Sequence, residues 1–234
     1  MRMNIGYLLI RLELEQMSRY LDLVETSLQQ HFKKLETSYQ EDMAQEMTED
    51  EAAIWDDHYT DDFIEAGQDF PQLLLLSFIV TWYSFVEQRL IDLCEELKLS
   101  ISVNPKNNES FGKGIWRARR FLLEARKYSI DAIHWQELTR IGRLRNAIVH
   151  DGRRLPWSYY KSDGQSMPHS LDDGTTVYIH IEKDLFHYLQ KHNMIEYSGP
   201  FFDIVPSFDY CNSLVKFGKE LFSKLYNDLK PSRA

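Results

Sequence analysis

Apolar residues recur at intervals of three or four along several long stretches of this chain, and that period constrains the fold more than any other feature. One stripe runs from Leu14 to Leu35, and a second runs over residues 71–97. This spacing places apolar side chains on one face of an α-helix, and that face must be buried against other helices. The pattern predicts a mainly α protein built as a helical bundle.

Three further helices are expected over about residues 115–128, 129–150 and 207–229. Between the last two, residues 175–181, 195–197 and 201–205 are rich in β-branched and aromatic types, and a short helix is expected over 184–192. The three β-rich segments could pair as a small hairpin or sheet. The predicted architecture is therefore a helical bundle with a small β insertion before the C-terminal helix.

The chain length of 234 residues predicts a single domain, 1–234. We divide it into an N-terminal helix plus acidic segment (1–69), core helices (70–155), a β insertion (156–206) and a C-terminal helix (207–234). Gly67 and Pro71 predict a break before the second main helix.

Two features bear on the compartment. Cys94 and Cys211 form no CxxC pair, and the longest apolar stretch, 73–85, is too short to span a bilayer. We expect a soluble, cytoplasmic protein with no disulfide, cofactor, metal ion or membrane contact.

Charge is distributed unevenly along the sequence. The net charge is −9, yet residues 113–154 hold 11 Lys or Arg against 4 Asp or Glu. A basic island in an acidic body is compatible with a polyanionic partner, although solvated surface charge is the alternative. The segment 41–69 has twelve acidic residues and no Lys or Arg. It either solubilises the surface or covers the basic island and restrains its activity.

The fourth helix carries the most informative polar face. At 100° per residue, Leu138, Ile141, Leu144 and Ile148 form its core stripe. The opposite side carries Thr139, Arg143, Asn146 and His150. Gly142 lies between the two faces, where it would let another helix approach closely.

The segment Arg145-Asn146-Ala147-Ile148-Val149-His150 resembles the RNxxxH form of the Rx4-6H motif of HEPN ribonucleases. The upstream segment 83–90, an aromatic stretch that precedes Glu87, resembles the early helix of such domains. The resemblance covers mainly residues 70–155. It implies a helical domain that cleaves RNA without a metal ion.

The resemblance implies the following roles. His150 exchanges a proton with the ribose 2′-OH, because imidazole titrates near neutral pH. Arg145 binds the phosphate and stabilises the charge of the transition state, and Asn146 orients His150 or binds RNA. Glu87 could pair with Arg145 or Arg143 and position it, although an exposed position on the helix edge is slightly favoured. Further candidates for phosphate binding are Arg143, Arg153, Arg154, Arg117, Arg120 and Lys113.

One geometric difficulty favours self-association. Residues 145 and 150 project about 140° apart on an ideal helix. Each motif also supplies one histidine, whereas cleavage uses an acid and a base. We therefore expect a homodimer in which two copies of His150 face each other.

Two alternatives to a nuclease stay open: a non-catalytic HEPN module that binds RNA, a nucleotide or a protein, and a structural adaptor. As a nuclease, the chain would be a toxin or an antiphage effector, with a possible cognate antitoxin or regulatory protein. Some HEPN toxins are modified on a Tyr two residues after the motif His. Gly152 stands there in this chain, so that control is not expected.

Overall fold

The computed structural model describes residues 5–44, 48–98, 113–161, 166–198 and 201–229. Its helices are α1 (Ile5–Met43), α2 (Glu49–Ile64), α3 (Phe70–Lys98), α4 (Gly114–Arg126), α5 (Ala132–Asp151), α6 (Lys183–Lys191) and α7 (Phe208–Asp228). Its strands are β1 (Arg154–Leu155), β2 (Trp157–Ser158), β3 (Met167–Ser170), β4 (Thr176–Ile179), β5 (Ile195–Ser198) and β6 (Phe201–Ile204). The prediction of a mainly α bundle with a β insertion before the last helix is confirmed.

Helix α3 forms the centre of the bundle and packs against α1, α4, α5 and α7. Helix α1 runs antiparallel to α3 and α7. Its start, at Gly6, lies beside the ends of both helices, at Glu96 and Tyr226, whereas Leu14 further along lies beside Gly218 in α7. Val86 and Leu90 are fully buried, as the apolar stripe predicted over residues 71–97 requires, and so is Trp82. That stripe also included Leu73, and this assignment is wrong, because Leu73 is 63% exposed at the start of the helix.

The predicted break at Gly67 and Pro71 is replaced by a π-helical turn over Glu65–Asp69, so α2 continues directly into α3. The amide of Phe70 donates to the carbonyl of Glu65, five residues earlier. Proline has no N–H and its ring collides with the carbonyl four residues before it. Widening the helix at this point accommodates Pro71 without ending the helix.

The acidic segment packs against the second half of α1 rather than against the bundle core. Phe32 and Phe63 are 5.4 Å apart between ring centroids, and Tyr39 and Tyr59 are 5.2 Å apart. Helix α2 begins with a capping box in which the Thr48 side chain accepts from the Glu51 amide. The two helices form an antiparallel arm, and a groove of about 950 Å³ lies at its base.

The β insertion consists of two separate three-stranded antiparallel sheets, ordered β1-β6-β5 and β2-β4-β3. We expected residues 195–197 and 201–205 to pair with 175–181, and that pairing is wrong. Strand β4 pairs with β2 and β3, while β5 and β6 pair with each other and with β1. Strands β1, β2 and β3 were not predicted, and β1 starts before the expected boundary of the insertion.

In the part of the chain that the structure describes, one helical run meets the length and composition of a membrane span. It covers Asp50–Leu97, has a window of mean hydropathy 1.3, and 39% of that window is buried within the protein. The expected absence of membrane contact stays a prediction, because the central helix of a bundle passes the same test.

Candidate functional site

Helix α5 positions the predicted motif, and its two ends are defined by local chemistry. Asp131 caps the N-terminus, where its side chain accepts from the His134 amide at 3.1 Å. The core side chains Leu138, Ile141 and Leu144 are fully buried, as predicted. Gly152 ends the helix at a φ of +68°, a conformation that L residues rarely adopt.

Gly142 brings α5 against α3 as closely as the sequence predicted. A Cβ added at Gly142 would lie 2.6 Å from the hydroxyl oxygen of Tyr83. Only a residue without a side chain fits there, because a real carbon atom would overlap the hydroxyl. This contact fixes how α5 lies on α3, and hence where the polar face of α5 points.

That polar face lines a groove of about 600 Å³ between α5, the β1–β2 connection and the segment that leads into α6. Three predicted residues meet there: Arg143, Asn146 and His150. The other lining residues are Ala147, Asp151, Leu155, Pro156, His180, Ile181, Glu182 and Leu185. The groove therefore has an apolar floor and ionisable side chains of both signs.

His150 is exposed at the C-terminal end of α5. Within the described part of the chain its imidazole forms no hydrogen bond and no ion pair. Both ring nitrogens are consequently open to a ligand. An open imidazole is the arrangement that proton transfer to a bound molecule requires.

Arg145 does not line the groove in this single chain. Its side chain is half-buried, and its Nη1 donates to the Asn146 Oδ1 at 3.0 Å. Its Nε is buried without a hydrogen-bond partner. Asn146, which does line the groove, thus connects the guanidinium of Arg145 to the surface that carries His150.

Glu87 lies beside the start of α4. Neither Arg145 nor Arg143 forms an ion pair with Glu87 in the described residues, so the pairing that we considered as the less favoured alternative is absent there. The Glu87 carboxyl lies 3.2 Å from the Cβ position of Gly114, at the N-terminal turn of α4. A carboxylate there interacts favourably with the positive end of the helix dipole.

Tyr83 lies between these groups on α3. Burial and the Glu87 carboxylate raise the pKa of Tyr83 to about 12, while Arg145 acts in the opposite direction. Tyr83 therefore stays a neutral phenol over the physiological range, and its role against Gly142 is steric.

Three cations predicted to bind phosphate have partners within the chain. The Nη1 of Arg143 lies 2.8 Å from Glu182 and 3.0 Å from Asp184. Arg153 lies 3.3 Å from Asp69 and 3.5 Å from Asp203. The guanidinium of Arg154 stands 3.9 Å above the ring centre of Phe201. Arg143 and Arg153 must exchange carboxylates for phosphate before they can bind RNA, whereas Arg154 keeps its polar edge exposed.

The cations of α4 lie outside the groove. Lys113, Arg117 and Arg120 are absent from its lining, and Arg120 pairs with Glu124 at 2.9 Å. Arg119 covers Trp135 of α5 at 4.3 Å from the ring centre. Helix α4 therefore carries a basic surface that lies away from the groove of His150. The role of these side chains in RNA binding stays a prediction.

His180 is the groove residue that the sequence did not single out. Its Nε2 lies 3.0 Å from the Ser158 hydroxyl and its Nδ1 lies 3.1 Å from the Ser166 hydroxyl. The Ser158 hydroxyl also donates to the Tyr160 carbonyl, so Nε2 donates to Ser158 in turn. Since both nitrogens are engaged, His180 holds β2 and β4 together and shapes the groove wall.

No group of three or more His, Cys, Asp and Glu side chains that could hold a metal ion occurs in the described ranges. The groove itself offers His150, His180, Asp151 and Glu182 as polar side chains with ligand atoms. These atoms do not converge as a coordination sphere would.

No family model matches the chain, and no significant match was found among the curated proteins or the solved structures. The likeness to HEPN domains therefore depends on the motif and on the helical bundle that presents it.

Proposed function

We propose that this protein is a metal-independent endoribonuclease of HEPN type. In this proposal His150 is the acid or base that acts on the ribose 2′-OH and the leaving oxygen. Arg145 binds the scissile phosphate and stabilises the charge that develops in the transition state. The products are a 2′,3′-cyclic phosphate and a 5′-OH end.

The supporting observation is the environment of His150. An imidazole that has no partner among the described residues lines a groove, one helical turn from Asn146 and two turns from Arg143. A histidine on a merely solvated surface would not share a concave site with the other polar residues of its helix face. RNA supplies its own nucleophile beside each phosphate, so the protein needs only proton transfer and charge stabilisation.

The separation of Arg145 from the groove supports the dimeric form of the proposal. Among the described residues of one chain, the hydrogen-bond partner of the guanidinium is the Asn146 amide oxygen. His180 does not replace the missing second acid or base, because hydroxyl groups engage both of its nitrogens. A twofold axis near the C-terminal end of α5 would supply a second His150 and a second Arg145 to one site.

The same separation also favours the alternative, a non-catalytic HEPN module that binds RNA, a nucleotide or a protein. Arg143, the arginine that does line the groove, is paired with Glu182 and Asp184. If Arg145 never approaches the phosphate, the groove can hold RNA without cutting it. Toxicity, antiphage defence and a cognate antitoxin or regulatory protein belong to the nuclease form of the proposal.

The decisive experiment incubates the purified protein with bulk RNA in excess EDTA. We expect cleavage by the wild type and loss of cleavage in His150→Ala and in Arg145→Ala. Arg140→Ala is the matched control, because Arg140 lies on the same helix and pairs with Glu137 at 4.0 Å outside the groove. RNA binding without cleavage by the wild type would favour the module. Cleavage retained by His150→Ala would refute the proposed mechanism.

The oligomeric state is tested separately by size-exclusion chromatography with light scattering. We expect a homodimer at the concentrations at which RNA is cleaved. A monomer that still cleaves RNA would show that the site is complete in one chain and would make Arg143 the better candidate for the phosphate ligand.

A further inference from the structure

The two small sheets present a cluster of exposed aromatic side chains beside the groove. The cluster consists of Trp157, Tyr159, Tyr160 and Tyr197, and we call it the aromatic platform. Tyr160 is 82% exposed and Tyr159 is 59% exposed. Aromatic rings of this size are normally buried, and a contiguous exposed group marks a binding surface.

The rings of Trp157, Tyr159 and Tyr197 are held in place by one another and by the core beneath them, and Tyr160 follows Tyr159 directly in the chain. Trp157 lies 5.1 Å from Tyr159 and 6.4 Å from Tyr197 between ring centroids. Trp157 and Tyr197 both rest on Phe202, which is fully buried, at 5.6 Å and 5.0 Å. A ring already fixed by packing loses little conformational freedom when a ligand stacks on it.

The platform is continuous with the groove that contains His150. Leu155 and Pro156 line the groove, and Trp157 follows them directly in β2. The amide of His180, another groove residue, donates to the Pro156 carbonyl at 2.7 Å. A chain molecule whose phosphate lies beside His150 would therefore pass over the platform as it leaves the groove.

The charge near the platform suits a polyanion with flat bases. Lys161 is exposed next to Tyr160. Arg154 and Glu196 are exposed on the other face of the β1-β6-β5 sheet, because both pair in register with Asp203, so both project away from the platform. Exposed rings beside a cation are typical of surfaces that bind single-stranded nucleic acid.

We propose that the aromatic platform stacks unpaired bases of single-stranded RNA next to the phosphate that the groove receives. This rests on the proposed function, because it takes RNA as the substrate. Bases inside a duplex are already stacked and cannot reach protein rings, so the platform selects single strands, loops and ends. The β insertion is then the element that chooses the substrate, while α5 supplies the chemistry.

The test measures RNA affinity in a His150→Ala background, so that the RNA stays intact. The probe is a 12-nucleotide single strand of mixed sequence with a fluorescent label, followed by anisotropy, and the same strand annealed to its complement. Tyr160→Ala and Tyr197→Ala should each weaken binding of the single strand by roughly 5- to 100-fold, the usual effect of removing one stacked ring. Tyr160→Phe and Tyr197→Phe should bind nearly as the parent does, because phenylalanine keeps the stacking face.

Two controls separate stacking from charge and from damage to the fold. Tyr20→Ala removes a tyrosine that is 46% exposed on α1, and it should leave the affinity unchanged. Lys161→Ala should reduce the slope of log affinity against log salt by about 0.7, as the loss of one phosphate contact does on a single strand. The Tyr→Ala variants should keep the parent slope and the parent circular dichroism spectrum.

Each outcome bears on one proposal or the other. Loss of single-strand affinity in the Tyr→Ala variants supports the platform even if the wild type cleaves no RNA, and the chain is then a binding module. Unchanged affinity in folded Tyr→Ala variants, or equal affinity for duplex and single strand, overturns the platform but leaves a cleaving wild type as a nuclease. A change in oligomeric state without a change in RNA affinity would make this surface a protein interface and also overturn the platform.

Discussion

Helix α5 carries a histidine near each end, and the two have opposite environments. His134, in the first turn, is 19% exposed, and its Nδ1 lies 2.7 Å from the Asp131 carboxylate. Its ring also stacks on Phe217 of α7 at 5.7 Å. His150, in the last turn, is exposed and makes no such contact within the described residues.

The difference shows which end of the helix is anchored and which is available. Asp131 caps α5, pairs with His134 and lies 3.1 Å from Lys224 of α7, so this end is fixed to the bundle. At the other end, the polar face of α5 borders a groove instead of a neighbouring helix. Residue type alone does not distinguish the two histidines, whereas the number of partners does.

The largest expected effect is the contrast between His150→Ala and His134→Ala. Removing a general acid or base lowers a rate by roughly 10²- to 10⁴-fold, so His150→Ala should abolish most RNA cleavage while the unfolding midpoint stays unchanged. His134→Ala should lower the unfolding midpoint and leave the cleavage rate per folded molecule unchanged, because the His134 ring packs on Phe217 and pairs with Asp131. Rate per folded molecule and urea unfolding of the same samples give both quantities.

The contrast fails if both variants lose activity in proportion to the fraction unfolded. In that case His150 affects activity only by stabilising the fold, and the difference between the two ends of α5 has no bearing on catalysis. His150→Gln, which keeps a polar side chain but cannot be protonated near neutral pH, should be as inactive as His150→Ala.

The second prediction concerns the close packing of α5 against α3. Gly142→Ala should lower the free energy of unfolding by about 1–3 kcal/mol, because its Cβ would overlap the Tyr83 hydroxyl. In an exposed helix the same change would stabilise by about 1 kcal/mol, so the sign is diagnostic. Tyr83→Phe in the same chain removes the overlapping hydroxyl and should restore most of the loss. Denaturant unfolding of the two single variants and the double variant measures the coupling.

Burial explains why the helices were predictable and the insertion was not. The stripe Leu138, Ile141 and Leu144 is fully buried, because one apolar face of a helix has to meet the core. Strands β1 and β2 have two residues each, too few to show an alternating pattern. Their partners are distant in sequence, as with Trp157 and Ile179, and a local pattern does not encode such pairing.

The site was predictable where one helix face defines it and not where distant segments meet. Periodicity alone placed Arg143, Asn146 and His150 together, and the groove contains all three. One partner of Arg153 is Asp69, 84 residues away, and no local pattern indicates that this cation is neutralised. His180 was missed because its hydroxyl partners belong to separate parts of the insertion.

The third prediction tests the anchored end by pH. Hydrogen bonding to His134, with a smaller contribution from Lys224, lowers the pKa of Asp131 below its usual range. A lowered pKa in the folded state means that this stabilisation is present above about pH 4 and is lost as the pH falls further. Asp131→Asn keeps a capping side chain but removes the charge, so it should cost about 1 kcal/mol at pH 7 and nothing at low pH.

The measurement is urea unfolding of the wild type and Asp131→Asn from pH 7 down to pH 2. Two curves that stay parallel over this range would show that the charge of Asp131 does not anchor the helix. Asp131→Ala should lose roughly a further 1 kcal/mol at every pH, because the N-cap is removed as well.

The smallest expected effect concerns the link between the acidic segment and the groove end of α5. Arg153 contacts Asp69 at 3.3 Å, and both side chains are over a third exposed. Exposed ion pairs contribute about 0–1 kcal/mol, so Asp69→Asn should hardly change stability. It removes one of the two carboxylates that contact Arg153, near the proposed RNA path, and a modest gain in RNA affinity that disappears at high salt should follow.

Glu65→Gln, in the same π-helical turn, is the matched control. Equal affinity in both variants would mean that the acidic segment only solubilises the surface, and a gain confined to Asp69→Asn would mean that it competes with RNA for the basic island.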